Sequence, residues 1–302
     1  MIEFTADHFR DLCRTGAVRE QIITLEDRRK AAVGTFWRYL VGGIVLASAI
    51  IISLTYSGWT LVAWALGLIV LVGGIVLALL PLSRASQQLK HPVLETLART
   101  GGMEYLPDGF DPPVYPDARN TLFGNWLSSQ TFTDLFHGID ESGKRYAIYE
   151  ACLSRRAGKN TETVFTGQVY AFQRRSRGGG TVAIVPDRGL FNFFKPASNM
   201  ERVKFESDQP FESRFEVYAT HKSEALGMIG TEARRELLKL REKGRVFAYV
   251  GPEDILVAAW GKNRFEAGSM FRSLGGEERV RRMFDEVCDS LRVLRALKRA
   301  LD

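Results

Sequence analysis

Two clusters of basic residues stand where the chain is expected to turn, and either could bind an anion. The clusters are Arg155, Arg156 and Lys159, and Arg174, Arg175 and Arg177. Basic side chains at a turn suit a phosphate or an anionic lipid headgroup. A solvated turn is the favoured interpretation of each cluster taken alone. The glycines at 178–180 do not form a phosphate-binding loop, because no Gly-Lys-Ser or Gly-Lys-Thr follows them.

A second polar group lies between a predicted strand and a predicted helix. It is the segment Thr-His-Lys-Ser-Glu at 220–224, in which His221 and Glu224 could carry out acid–base chemistry. A membrane-tethered hydrolase would need both side chains and a nucleophile in one cleft. The commoner role of such a segment is a helix cap with exposed side chains. No nucleophile-elbow, zinc-protease or paired-carboxylate motif is present, so nothing in the sequence motivates an enzyme.

The cysteines and histidines are too scattered to predict a metal site or a disulfide framework. The three cysteines, Cys13, Cys152 and Cys288, include no Cys-x-x-Cys pair, and the four histidines are spread along the chain. Three unpaired thiols fit a reducing compartment. Cys152 and Cys288 lie in apolar patterns and are expected to be buried and inert. The sequence therefore predicts no metal and no cofactor.

The distribution of charge favours an integral membrane protein over a fully soluble one. The chain of 302 residues has 41 Lys and Arg and 35 Asp and Glu, yet none of them lies in residues 39–83. A membrane-spanning helix needs about 20 apolar residues. This window therefore predicts a hairpin of two spans, at about 36–56 and 60–82. A net charge of +6 is too low to indicate a nucleic-acid-binding protein.

Basic residues flank the predicted hairpin on one side only, whereas the short turn between the spans carries no charge. The flanking residues are Arg28, Arg29, Lys30, Arg38 and Arg84. The positive-inside rule then places both termini and the main domain in the cytoplasm, with the hairpin in the cell inner membrane. The predicted partner of this region is the lipid bilayer. Because no ionisable residue lies within the spans, an ion pathway inside this chain is not expected.

Small residues recur four positions apart in both spans. They are Gly43, Ala47, Ala63, Gly67, Gly74 and Ala78. Such spacing lets helix backbones approach closely. The favoured interpretation is packing of the two helices of one hairpin, and the alternative is a homo-oligomer formed through a second face.

The rest of the chain divides into three parts. Residues 1–35 are predicted to form a cytoplasmic helical segment that breaks near Gly16. Residues 83–118 are predicted to be a connector, in which a helix to about Arg99 precedes a linker rich in proline and aspartate. Residues 119–302 are long enough to form a domain with its own core.

The domain at 119–302 has a strand-rich first half and helices later in the chain. A helical stretch is predicted at 222–242, with Thr231 as an N-cap, and a terminal helix begins at about Glu277. Strands are predicted at 131–139, 145–153, 161–173, 181–186, 201–206, 213–219, 245–250 and 254–260. The short turns between them favour an antiparallel sheet. The predicted class is α+β: a transmembrane hairpin followed by an antiparallel sheet with packed helices.

Three segments of this domain resemble a known family. They are VFTGQVYAF at 164–172, FESRFEVYAT at 211–220 and TEARRELLKL at 231–240. Together they resemble the bacterial domain-of-unknown-function family 3137, over about residues 119–294. The resemblance implies a membrane hairpin ahead of an α+β cytoplasmic domain. It implies no activity, substrate or catalytic residue.

The sequence leads to three functional hypotheses. The first is a non-enzymatic membrane anchor whose cytoplasmic domain binds a protein partner or the membrane surface. The second is a small-molecule or lipid-binding domain, since a curved sheet and a long helix can enclose an apolar pocket. The third is the membrane-tethered hydrolase. The fold class alone does not decide among them.

Overall fold

The computed structural model describes residues 16–175, 179–187, 199–266, 271 and 277–302. The described chain divides into two compact units. Residues 97–265 and 285–302 form one unit, and the described residues of 16–96 and 266–284 form the other.

Two helices joined by a tight turn dominate the second unit. Helix α1 (Gly16–Tyr56) and helix α2 (Thr60–Thr100) have 41 residues each, which corresponds to a length of about 60 Å. Both contain a stretch that is long and apolar enough to cross a membrane. Each helix continues beyond its apolar stretch. Helix α2 contains Pro81 and Pro92 and continues through both.

The other unit is built on a nine-stranded sheet in which every neighbouring pair is antiparallel. The strand order is β1-β2-β3-β4-β9-β8-β5-β7-β6. The strands are β1 (Glu104–Leu106), β2 (Leu127–Ile139), β3 (Arg145–Ala157), β4 (Asn160–Gln173), β5 (Val182–Pro186), β6 (Glu201–Val203), β7 (Phe215–Ala219), β8 (Val246–Val250) and β9 (Asp254–Trp260). The prediction of an antiparallel α+β domain is confirmed.

Five further helices accompany the sheet in the described chain. They are α3 (Tyr115–Leu122), α4 (Gln209–Glu212), α5 (Lys222–Met228), α6 (Thr231–Arg241) and α7 (Glu277–Leu301). The terminal helix buries an apolar stripe, with Leu291 and Leu294 at 1% and 0% exposure. In addition, the Gln168 amide of β4 donates to the Ser290 hydroxyl of α7, so the end of α7 lies against the sheet.

Residues two apart on a strand share a face, and this alternation separates the two sides of the sheet. The odd-numbered core residues of β3 and β4, such as Tyr149 and Phe165, pack into an aromatic core with Phe123 beside α3. The even-numbered Gln168 contacts α7 instead. Both faces of the central strands are therefore covered.

The helical stretch predicted at 222–242 is two helices rather than one. The chain leaves the helical conformation at Ile229 and Gly230, and Gly230 has an extended backbone. Glycine has a low helix propensity, which makes this position a natural break. Thr231 is the first residue of α6 and not its N-cap, which is Gly230.

The segment treated as a connector at 83–118 contains two elements of the domain. Strand β1 pairs with β2 through Glu104 opposite His137 and Leu106 opposite Leu135. Helix α3 begins within the proline-rich stretch and buries Tyr115, Ala118 and Leu122. A three-residue strand and an eight-residue helix are too short to show a period of burial, which is why the sequence pattern missed them.

Candidate functional site

A pocket of about 720 Å³ opens on one face of the sheet, where β3 begins and β4 ends. Strand register places Glu104, His137, Ala147 and Ala171 side by side across β1, β2, β3 and β4. The next row on the same face holds a different set: Ile139, Arg145, Gln173 and Asp254. Pockets that bind small molecules in proteins measure about 300–1,000 Å³.

The floor of the pocket exists because two core positions carry small side chains. Ala147 and Ala171 are adjacent on β3 and β4 and are 2% and 1% exposed. Two residues further along the same face, the paired positions carry Tyr149 and Val169. The change from large to small side chains leaves room above the sheet, and the surface so formed is apolar.

A bulge in β2 holds one end of the proline-rich segment. Asp134 interrupts the β2–β3 register and has a φ of 57°. Its N–H donates to the carbonyl oxygen of Pro107 at 2.9 Å, and its carboxylate accepts a hydrogen bond from the Tyr105 hydroxyl at 2.7 Å. Burial, and then the Asp134 carboxylate, raise the pKa of Tyr105, so this phenol stays a donor. The segment is therefore fixed to the sheet at Pro107.

The other end of the proline-rich segment forms a wall of the pocket. The Tyr149 hydroxyl donates to the Pro113 carbonyl oxygen at 3.0 Å. The next residue, Val114, lines the pocket with a φ of 65°. A left-handed backbone is unusual for a β-branched residue and costs on the order of 1–3 kcal/mol. The segment interpreted from sequence as a linker is thus a tethered wall with a strained residue at the pocket.

The rim of the pocket carries both signs of charge. The imidazole Nε2 of His137 lies 3.5 Å from the Glu104 carboxylate. On the other side, Arg145 and Asp254 stand on strands separated by β4, about 10 Å apart by strand spacing. Burial raises the pKa of Asp254, and the charge of Arg145 only partly opposes that effect. An apolar floor with separated charges suits an amphipathic molecule.

Sequence reasoning missed every residue of this pocket. The residues come from six separate segments, and the register of the strands brings most of them together. One signal was present: alanine at 147 and at 171, each two residues from a larger core residue, Tyr149 and Val169. That signal could be used only once the pairing of β3 with β4 was known.

The two basic clusters lie at opposite ends of β4. Arg155 pairs with Glu162 at 2.7 Å and lies over the Trp126 ring at 4.9 Å, while Arg156 and Lys159 are exposed. The first cluster therefore retains two exposed cations.

The second basic cluster is largely engaged within the domain. The Arg174 side chain is buried and donates to the Gly251 carbonyl oxygen at 3.0 Å. Arg175 lies 3.5 Å from the Asp302 carboxylate. Arg177 lies outside the described residues.

The Thr-His-Lys-Ser-Glu segment closes a loop and does not form a catalytic relay. Nδ1 of His221 faces both the Thr220 hydroxyl, at 3.3 Å, and the Glu224 carboxylate, at 3.9 Å. A relay needs one ring nitrogen for each partner. The hydroxyl and the carboxylate instead accept hydrogen bonds from the N–H groups of Thr181 and Gly180. His221 is the N-cap residue of α5, but its side chain caps no N–H.

The described cysteines do not share one environment. Cys152 is exposed, which contradicts the expected burial. It lies on β3 opposite Thr131 and Thr166 rather than in the core. Burial raises the pKa of Cys288 to about 11, which leaves that thiol protonated and unreactive near neutral pH. Cys13 is outside the described residues, among which no group of three metal-ligating side chains occurs.

The small residues of the spans lie at the contact between α1 and α2. A Cβ on Gly43 would be 3.2 Å from the Cα of Gly74, and one on Gly67 would be 2.5 Å from the Ile51 side chain. The alanines of the same stripe, at 47, 63 and 78, are all buried. The contact is therefore made within one hairpin.

The flanking basic residues differ in their surroundings. Arg28, Lys30, Arg38 and Arg84 are exposed. Arg29 is buried and pairs with Glu26 at 2.7 Å.

The chain thus combines an apolar helical hairpin with an α+β domain that contains a pocket. Comparison with protein families agrees with the resemblance found in the sequence. Residues 163–299 match the model of a protein family of unknown function, DUF3137. The resemblance is confirmed over these residues, and strands β1 to β3 precede the match. No curated protein matches the chain.

Comparison with solved structures gives one match. It is the crystal structure of the mycobacterial trehalose monomycolate transport factor A, TtfA, with 14% sequence identity and a TM-score of 0.39. The alignment covers 68% of this chain and 96% of that one.

Proposed function

We propose that this chain is an integral protein of a bacterial inner membrane, anchored by α1 and α2, with both ends of the hairpin and the α+β domain in the cytoplasm. The support is the uncharged stretch at 39–83 and the four exposed cations that flank it. Reporter fusions test the orientation. A phosphatase fused after Asp302 is expected to be inactive, and one inserted at Ser57 in the turn is expected to be active. The opposite pattern would contradict the orientation.

Within this anchor, we propose that the α+β domain is a non-enzymatic module that binds a small amphipathic molecule. The observation that carries the proposal is the pocket of about 720 Å³ with an alanine floor and a charged rim. A solid core would have spoken against such a function. The strained backbone of Val114 in the pocket wall is consistent with a site shaped for a ligand.

The chemistry of the rim narrows the class of ligand. Arg145 offers a guanidinium to an acidic group. Asp254, whose pKa burial raises, gains by pairing with a donor or a cation. The two groups stand about 10 Å apart by strand spacing, and the apolar part of the ligand would lie over Ala147 and Ala171. A molecule with two polar ends and an apolar body meets these conditions.

A protein partner or the membrane surface is the second candidate, and one observation favours it. At the turn between β3 and β4, Arg156 and Lys159 are exposed, and Trp126 beside them is 43% exposed. Cations next to an exposed indole are common at interfaces. This surface is small, and Arg155 within it already pairs with Glu162. The pocket is therefore the better supported site.

Native mass spectrometry of the full-length protein, extracted with its own lipids, tests the ligand-binding proposal. We expect a retained extra mass of small-molecule size in the wild type. Arg145→Gln and Asp254→Asn should each reduce its occupancy by about tenfold or more, since one lost charged hydrogen bond costs about 1.5–3 kcal/mol.

The matched control is Arg235→Gln. Arg235 is 60% exposed on α6 and pairs with Glu232, away from the pocket. The Arg235→Gln variant should retain the small-molecule mass to the same extent as the wild type. Equal retention by Arg145→Gln, or a bare wild-type protein, would overturn the proposal, and a retained polypeptide would favour the partner hypothesis.

A further inference from the structure

Three aromatic rings meet where the hairpin leaves its apolar stretch. The rings of Phe36 and Phe271 are 5.1 Å apart at an interplanar angle of 75°, and those of Phe36 and Trp37 are 5.5 Å apart at 80°. Phe36 and Trp37 belong to α1. Phe271 lies in the connection between β9 and α7, so a residue far away in sequence reaches the hairpin.

The contact between the helices gives the level of these rings along the hairpin. Gly43 faces Gly74. Because the two helices are antiparallel, residues at equal distances from this contact, counted away from the turn, lie at the same level. Seven residues from the contact, these are Phe36 on α1 and Pro81 on α2. Arg38 and Arg84, which bound the uncharged stretch, lie close to the same level. The three rings therefore stand where the apolar surface ends and charges begin.

Two of the three rings are exposed in the described part of the chain. Phe271 is 51% exposed and Trp37 is 53% exposed. On the same side of α1 as Trp37, this exposed surface continues through the exposed apolar side chains of Val41, Ile44 and Val45. A contiguous apolar surface of this kind marks an interaction site and not a random exposed residue. Aromatic side chains concentrate where a helix crosses from lipid to water.

A polar contact holds the same connection against the other helix. The Lys90 ammonium of α2, whose side chain is 10% exposed, lies 3.7 Å from the Glu266 carboxylate. The connection thus touches α2 through an ion pair and α1 through an aromatic pair.

From these contacts we propose that Phe271 inserts into the headgroup region of the bilayer beside Phe36 and Trp37. Phe271 is then a third point of membrane contact, additional to the two helices. The occupant of this surface is the lipid bilayer, because the surface is continuous with the apolar faces of the hairpin.

Depth measurement by spin labelling tests the proposal. In full-length protein whose cysteines are replaced by serine, a nitroxide is attached to a single cysteine at Phe271, Leu66 or Leu226. The protein is reconstituted in vesicles of phosphatidylethanolamine and phosphatidylglycerol. Power saturation then compares collisions with oxygen, which partitions into lipid, and with a water-soluble nickel chelate.

Leu226 is the matched control, because it is as exposed as Phe271, at 51%, but lies on α5. Leu66, within α2's apolar stretch and 42% exposed, reports the bilayer interior. We expect the label at Phe271 to be at least fivefold less accessible to nickel than that at Leu226, with an oxygen preference between the two controls. Nickel accessibility equal to that at Leu226 would overturn the proposal. Nickel access at Leu66 would overturn both it and the anchor.

A second variant keeps an aromatic ring at the position. Tryptophan fluorescence of Phe271→Trp and Leu226→Trp is compared with the wild type in vesicles containing brominated lipid. The signal added by Phe271→Trp should be quenched at least twofold, and that added by Leu226→Trp should not change. An unquenched Phe271→Trp would contradict insertion even if the cysteine variant had perturbed the packing.

Discussion

At the scale of single residues, Gly167 of β4 is the described glycine least able to accept a side chain. Its φ is +148°, and a Cβ would lie 2.2 Å from the Ala259 carbonyl oxygen and 2.7 Å from the Gly261 nitrogen. Backbone atoms cannot move aside as a flexible side chain can. We expect Gly167→Ala to destabilise the domain by about 3 kcal/mol or more, measured by thermal unfolding of the full-length protein in detergent.

The control for this prediction is Gly143→Ala, in the turn after β2. Gly143 also has a positive φ, of +76°, but nothing lies within 4 Å of its Cβ position. Gly143→Ala should lower the free energy of unfolding by only about 1 kcal/mol. Equal losses in the two variants would mean that the close approach of β4 to β9 is not the cause.

A buried polar network supplies a second prediction at this scale. Gln168 donates to the Ser290 hydroxyl at 3.0 Å, and the Tyr170 hydroxyl donates to the Gln168 oxygen at 2.7 Å. Ser290→Ala leaves the Gln168 amide without that partner and should cost about 1–3 kcal/mol. The double variant with Gln168→Leu removes both groups and should cost less than the sum of the single changes. Additive losses in a double-mutant cycle of thermal unfolding would contradict the coupling.

At the scale of elements, an ion pair fastens the end of α7 to the turn between β2 and β3. The Lys298 ammonium donates to the Asp140 carboxylate. Burial works to raise the pKa of Asp140, but hydrogen bonds from Lys298, Ser142 and the Lys144 N–H outweigh it and hold that pKa well below its usual range. The contribution is complete above the unfolded-state pKa of about 3.9 and is lost as the pH falls through the folded-state pKa.

Lys298→Met should therefore lower stability by about 2 kcal/mol at pH 7, and the loss below pH 4 should be shallower than in the wild type. Thermal unfolding between pH 2 and pH 7 measures both effects. Lys239→Met is the control. Its pair with Glu236 lies on α6 with Lys239 59% exposed, and such surface pairs contribute about 0–1 kcal/mol. If Lys298→Met were as stable as Lys239→Met, the ion pair between Lys298 and Asp140 would not stabilise the attachment of α7.

At the scale of the whole molecule, glycines position the two apolar helices against each other. Gly43 and Gly74 touch, whereas their neighbours Gly42 and Gly73 have nothing within 4 Å of their Cβ positions. Gly43→Val should separate the helices and lower the melting temperature of the full-length protein in detergent by several degrees, about 1–3 kcal/mol. Gly42→Val, one position away, should be nearly neutral. A larger effect of Gly42→Val would indicate that the important helix contact is made by the face of α1 that carries Gly42, as in an oligomer.

The sequence could predict elements whose pattern lies within one segment. The uncharged stretch at 39–83 and the buried stripe of α7 are of this kind, and so is the alternation in β3 and β4. The pocket is of another kind. Glu104 and Asp254 reach one rim only through the register of β1 with β2 and of β4 with β9, and no local pattern encodes that pairing. The wall depends on a bulge at Asp134, where a polar residue takes a conformation that its neighbours impose.

The pairing of β4 with β9 also sets an order of events during synthesis. Strands β1 to β4 can pair as soon as they are made, but the other edge of β4 awaits β9, about 80 residues later. At translation rates of about 5–20 residues per second this delay is roughly 4–16 s. During it the apolar edge from Val169 to Phe172 has no strand beside it. The nascent half-sheet therefore has an interval in which another unpaired strand could bind it, and its biogenesis is expected to depend on chaperones more than the stability of the finished fold would suggest.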